Sequence, residues 1–197
     1  MEQTLKIIDW GFKNYSDSLD DQIALVEAKK ADPSLPDLLI FTEHNPVFTI
    51  GSRTCAASHL LWNQQTLKDK GIELHKTNRG GDITYHGPGQ LIIYPIIHLN
   101  NRDLADYLRK LEIVMIRVLQ SFAIEASTRE GKTGIWIDDR KICAIGIAVK
   151  SWISYHGLAL NINPNLTHFQ GIIPCGITDG SVTSLQNVIA SLPEKNL

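Results

Sequence analysis

Arg79-Gly80-Gly81-Asp82-Ile83-Thr84-Tyr85-His86-Gly87-Pro88-Gly89-Gln90-Leu91-Ile92-Ile93-Tyr94-Pro95 decides how the rest of the chain is read. Its four glycines in the first eleven positions permit positive φ and let a ligand approach bare backbone, while Pro88 fixes the turn between the two halves. Asp82, Thr84 and His86 alternate with Ile83 and Tyr85, the period of a strand with one polar and one apolar face. Residues 91–97 are apolar on both faces, which predicts a buried strand. Taken locally, the stretch is a hairpin closed by Gly-Pro-Gly. Taken whole, with its polar groups set among glycines, it reads as the floor of an active site.

Working outward, 197 residues that are 43% hydrophobic suffice for one domain over 1–197 with a substantial core. Met1-Glu2-Gln3-Thr4 lacks the features of a signal peptide, and no apolar run approaches the roughly 20 residues that span a bilayer. A cytoplasmic protein without a membrane segment is expected. Cys55, Cys143 and Cys175 form no Cys-x-x-Cys pair, so reduced thiols rather than a disulfide framework are expected. The seven histidines include no His-Glu-x-x-His and no close His/Cys cluster, which argues against zinc; no metal is expected. A formal net charge of −2 gives no reason to expect nucleic acid.

Residues 5–10 read as a strand and 15–30 as a helix, with Tyr15, Leu19, Ile23 and Val26 at helical spacing. Residues 37–42 and 47–50 read as a hairpin around Glu43-His44-Asn45-Pro46, and 72–76 as a short strand. Between them, 56–70 reads as loop with a short helix. Leu104, Tyr107, Leu108, Leu111, Met115, Val118, Leu119 and Phe122 form an amphipathic helix with Asn101 or Asp103 as cap, and Arg109, Lys110, Glu112 and Arg117 on its solvated face. Strands follow at 134–137, 141–150 and 154–163. The pattern predicts an α/β (α+β) fold in which a mixed sheet is covered by a few helices.

Cys175 lies in Gly171-Ile172-Ile173-Pro174-Cys175-Gly176-Ile177, a rigid loop after the last clear strand, and is a candidate nucleophile. Cys143, mid-strand between Ile142 and Ala144, reads as a small core residue, and Cys55 borders a loop near Arg53.

Arg-Gly-Gly, Thr-x-His-Gly-Pro-Gly-Gln and Tyr-Pro within residues 79–95 together resemble the signature of the lipoate-pathway octanoyltransferases. The string Glu43-His44-Asn45-Pro46-Val47-Phe48-Thr49-Ile50-Gly51 is similar to that family's early hairpin, and 154–161 to a third segment. The resemblance covers most of the chain and implies the fold shared with biotin and lipoate protein ligases, the class II aminoacyl-tRNA synthetase and biotin synthetase-like fold. It also implies Cys175 as the thioester-forming nucleophile, followed by Val182-Thr183-Ser184-Leu185, and Lys141, which opens Lys-x-x-x-x-Gly, as the group that lowers the thiol pKa and acts as general acid and base. Substrate-binding positions implied are Arg79, Gly80, Gly81, Asp82, Ile83, Thr84, Tyr85 and His86, with Ala144, Ile145, Gly146, Gly157, Leu158 and Ala159. No cofactor is implied. The partners implied are octanoyl-acyl carrier protein as donor, and as acceptors the lipoyl domains of 2-oxoacid dehydrogenase complexes and the glycine cleavage H protein. His156 is set outside the catalytic group as structural.

One difficulty is visible in the residues themselves. A regular strand puts Lys141, Cys143 and Ile145 on one face and Ala144 and Gly146 on the other, so Lys141 can join the small-residue face only from the strand end or through a bulge. An ATP-dependent lipoate or biotin ligase is the alternative that the same fold would allow, and a non-catalytic lipid- or carrier-binding module is a third.

Overall fold

The computed structural model describes residues 4–173 and 180–191. Cys175 lies outside the described residues. A large mixed sheet has the order β1 (Leu5–Phe12), β2 (Asp37–Glu43), β6 (Gln90–Ile96), β10 (Ile153–Asn161), β9 (Arg140–Lys150), β8 (Lys132–Ile137), β7 (Ser127–Arg129), with β11 (Ser181–Val182) pairing β9. β1 runs parallel to β2 and β11 parallel to β9, and the other pairs are antiparallel. The predicted mixed sheet is thus present. β6, apolar on both faces, sits near its centre, which is where a strand with no polar face is stable.

A second sheet, β4 (Glu73–Lys76), β3 (Val47–Ile50), β5 (Thr84–His86), corrects two expectations. Neither 37–50 nor 79–95 is a hairpin: β2 and β6 belong to the large sheet, β3 and β5 to the small one. Both Pro-containing connections are corners between sheets, where chain that cannot continue a ladder changes layer. The two corners are tied together by Gly89 N donating to Glu43 Oε2 at 2.8 Å.

Helix α3 (Leu104–Ser121) begins at Asp103, whose carboxylate accepts from Asp106 N at 2.9 Å, and buries Met115 and Leu119 against Ile93, Ile135, Ile142, Cys143, Leu158 and Leu160. Of the expected apolar stripe, Leu104 and Phe122 at the helix ends and Val118 within it stay exposed. Glu112 is not on a solvated face: it is half-buried and accepts from Gly134 N at 3.1 Å. On the opposite face of the sheet, α1 (Tyr15–Ala31) buries Tyr15, Ser18, Gln22, Val26 and Lys29 rather than the predicted Leu19 and Ile23. The stripe is polar because it covers polar groups: Lys29 meets the Asp37 carboxylate at 2.9 Å, and Gln22 takes a main-chain amide described below. Two short helical turns, Ala56–His59 and α2 (Gln64–Asp69), close the small sheet's own core with Phe48, Ile50, Ile83, Tyr85 and Phe169. Helix α4 (Leu185–Ala190) lies on the α3 side through Leu185 and Val188.

Candidate active site

Ala144 and Gly146 on β9 pair in register with Ala159 and Gly157 on β10, so the sheet carries a patch with almost no side chain. Over this patch lies the segment of residues 79–82, hydrogen-bonded to it by Gly80 N donating to Ile147 O at 2.8 Å. The approach is too close for larger residues: a Cβ on Gly146 would stand 2.8 Å from Gly80 O, and one on Gly157 2.0 Å from Ile93 O. Between the layers is a narrow cavity. It brings together Arg79, Gly81, Asp82, Thr84, His86, Ala144, Ile145, Gly146, Gly157, Leu158 and Ala159. Gly80 lines the adjoining, wider mouth. Ile83 and Tyr85 do not line it; strand alternation turns both side chains into the small sheet's core, a correction to their assignment as substrate-binding.

Tyr15, Ile92, Tyr94 and His156 complete the cavity and were missed or set aside from sequence. His156 shows why. Pro95 has no amide to give, the β6–β10 ladder stops at Leu158↔Ile93, and His156 takes a left-handed φ of 56°. Its amide donates instead to Gln22 Oε1 at 2.8 Å, and its Nε2 lies 2.9 Å from Asn78 Oδ1. Nothing in local sequence announces a contact between residues so far apart as 22 and 156.

Arg79 is buried and donates to Thr49 through Nε and Nη2, so it is a cation inside the cavity wall. Burial, helped by that guanidinium, lowers His156 to about 3 and holds His86 well below the ordinary histidine range. Burial likewise lowers His44, whose ring bridges Lys13 O at 2.6 Å and Tyr94 OH at 2.7 Å. His44, His86 and His156 are therefore neutral at pH 7.

The strand-parity difficulty is resolved by a bulge. β8 and β9 pair Ile137↔Arg140 and Trp136↔Lys141, then Ile135↔Cys143, so Ile142 is an extra residue. Ile142 and Cys143 consequently both enter the α3-side core, and Lys141 joins Ala144 in lining one small cavity with Thr84, Gln90 and Asn161. Lys141 is 5% exposed; its Nζ donates to Thr133 O at 3.1 Å and lies 4.8 Å above the Trp136 ring. Gly134, at φ 123°, makes room: a Cβ there would stand 3.2 Å from Lys141 Cε. Cys143 is a buried core thiol pushed up to about 12 by burial, as its mid-strand position predicts.

A polar chain joins three separated motifs. Gln90 Nε2 donates to Asn161 Oδ1 at 2.8 Å, and Asn161 Nδ2 to Thr183 O at 2.8 Å. Thr183 N in turn donates to Lys141 O at 2.9 Å, and Val182 pairs with Lys141 in β11. At the cavity's other side, Asp82 is buried, with Oδ1 accepting from Ile83 N at 2.7 Å and 2.8 Å from His59 Nδ1. Cys55 completes a group with His59 and Asp82 in which the donor atoms all lie within 4.8 Å of one another. The expectation that the chain holds no close His/Cys cluster is thereby overturned; the Cys55-x-x-x-His59 spacing was its signal.

The fold is that of the lipoate and biotin protein ligases. Lipoate-protein ligase A bound with ATP superposes with a TM-score of 0.71 at 16% identity over 98% of this chain and 80% of the other. A putative lipoate protein ligase from T. acidophilum gives 0.71 at 16% identity over 95% and 77%. Biotin protein ligase from Aquifex aeolicus, in complex with biotin and ATP, gives 0.52 at 11% identity over 98% and 63%. Residues 14–195 match the lipoyl protein ligase A/B catalytic domain family. An octanoyltransferase of Rubrobacter xylanophilus is 44% identical over 177 residues, 89% of this chain and 80% of that one. An octanoyltransferase of Caldicellulosiruptor bescii is 45% identical over 168 residues, 83% and 73%. The chloroplastic octanoyltransferase of Arabidopsis thaliana is 45% identical over 174 residues, 87% and 60%. The chain belongs to the octanoyltransferase family within that catalytic-domain family, and is an acyltransferase of protein lipoylation.

Proposed function

We propose that residues 1–197 form one catalytic domain that carries an octanoyl or lipoyl group from acyl carrier protein, through a thioester on Cys175, to a lysine of a lipoyl domain. Acceptors of this kind are the lipoyl domains of 2-oxoacid dehydrogenase complexes and the glycine cleavage H protein. The observation that carries the reading is Lys141: a buried cation brought by a bulge to the small-residue side of the sheet, with β11, a few residues beyond Cys175, alongside it. A free thiol with a pKa of about 8.5 is only a few per cent thiolate at pH 7, and a nearby ammonium favours the thiolate.

In the first half-reaction the Cys175 thiolate attacks the donor thioester carbonyl, and the C–S bond to the carrier breaks. Lys141 supplies the proton to the departing thiol. In the second, the target amine attacks the Cys175 thioester, Cys175 leaves as thiolate, and Lys141 takes the amine's proton. Thioester exchange is nearly neutral and thioester to amide runs downhill, so no ATP is consumed. The side-chain-poor patch receives the acyl chain, whose roughly six methylenes at about 0.8 kcal/mol each supply about 5 kcal/mol of binding.

Among the described residues no helix is long and apolar enough to cross a membrane, and a cytoplasmic setting is part of the same reading. The test is incubation with octanoyl-acyl carrier protein without ATP, followed by intact mass. An octanoyl increment that is absent in Cys175→Ser and accepted by a lipoyl domain is expected. An increment only with ATP would favour a ligase.

A further inference from the structure

We propose that Cys55, His59 and Asp82 form a zinc site beside the acyl cavity, and that occupancy slows acyl transfer. Their donor atoms all lie within 4.8 Å of one another, and His59 Nδ1 is already 2.8 Å from Asp82 Oδ1. Thiolate, imidazole and carboxylate are all zinc ligands, and three of them leave a fourth position open. The charges balance: thiolate and carboxylate neutralise the dication, while Arg53 Nη1, 3.5 Å from Asp82 Oδ2, remains beside the other carboxylate oxygen. Cys55 is exposed, which provides an entry path.

The site is coupled to the cavity by covalent and hydrogen bonds. Tetrahedral zinc with bonds near 2.0–2.3 Å sets its donor atoms roughly 3.3–3.7 Å apart, so Cys55 Sγ is drawn in by up to roughly 1 Å while His59 Nδ1 and Asp82 Oδ1, now 2.8 Å apart, must open. Asp82 is buried and held by Ile83 N and Gly51 N, so it is the segment 55–59 that repositions. His59 O accepts from Ile173 N at 2.8 Å, and Ile173 precedes Cys175 by one intervening residue, Pro174. A displacement of that size at the approach to a reacting group lowers the rate.

The experiment titrates the full chain with Zn²⁺, and separately with Co²⁺ as a spectroscopic probe, in wild type, Cys55→Ser and Cys175→Ser. The expected result is one Zn²⁺ per chain and a thiolate-to-cobalt charge-transfer band in wild type and Cys175→Ser, both lost in Cys55→Ser. Loss of a ligand should weaken binding beyond the roughly 10–100-fold brought by changes outside a ligand set. One equivalent of Zn²⁺ should slow octanoyl transfer in wild type, reversibly on chelation, and leave Cys55→Ser unaffected. A thiolate band that persists in Cys55→Ser, or wild-type transfer unchanged by stoichiometric Zn²⁺, overturns the proposal. The binding arm is independent of acyl transfer, so its outcome and that of the Cys175 mechanism are read separately.

Discussion

The backbone amide of His156 is held by the side chain of Gln22, at 2.8 Å, where a regular sheet would have offered a strand carbonyl. This one bond fastens α1 to the central sheet at its weakest rung, opposite a proline, and fixes an imidazole in the cavity wall.

Gln22→Ala leaves that amide buried without an acceptor, which costs about 1–3 kcal/mol. A lower urea midpoint at unchanged m-value is expected, together with reduced transfer as His156 loses its fixed orientation. Unchanged stability would show that the sheet re-forms the missing rung.

Lys141→Ala should slow acyl-enzyme formation by about 10²–10⁴-fold, the usual contribution of a positioned acid or base. Rapid-quench mass spectrometry of the acylated chain measures it, with circular dichroism as the control for folding. Native-rate acylation removes Lys141 from the mechanism.

Stability should fall on acidification. His44, His86 and His156 have folded pKa values below the unfolded value of about 6.5, so the unfolded chain binds more protons. Their contribution is fully present above pH 6.5 and is lost as pH falls towards about 3, the folded value for His156. Each such group contributes a slope of up to about 1.4 kcal/mol per pH unit in that window. Denaturant titrations at pH 7.5 and 5 should differ accordingly, and His156→Gln should flatten the difference.

Gly157→Ala and Gly146→Ala separate folding from chemistry. The first puts a methyl 2.0 Å from a main-chain oxygen of β6 and should cost at least the roughly 1–3 kcal/mol of ordinary overpacking. The second meets the Gly80 carbonyl at 2.8 Å and the Arg79 side chain at 3.4 Å, a milder clash. Gly146→Ala is expected to lower thermal stability less than Gly157→Ala while losing activity, first towards the longest acyl donors. Equal thermal shifts for both would contradict the layered cavity.

What could be read from residues alone follows a physical divide. Period and capping are local, so α3 with its Asp103 cap, the β8–β9 hairpin and the apolar β6 were all readable. Layer changes are not local: the same Asn-Pro and Gly-Pro-Gly signals that make a hairpin turn also make a corner between sheets, and only the choice of partner strand separates them. The α1 stripe failed for a related reason. Ser18 and Gln22 are buried because of what lies opposite them, and no periodicity within the helix encodes that. At the site, eleven of the residues singled out converge on one cavity, whereas Ile83 and Tyr85 fall to the other side by the alternation already visible in the strand. The Lys141 side of the sheet was undecidable, because one extra residue reverses it and leaves no compositional mark.

That extra residue sets regularity against chemistry within one strand. Were the strand to alternate regularly from Cys143 back through Ile142, the ammonium would stand on the helix-covered side with Cys143 and Ile145. A more orderly ladder would thus deprive the chain of the position on which the proposed chemistry rests.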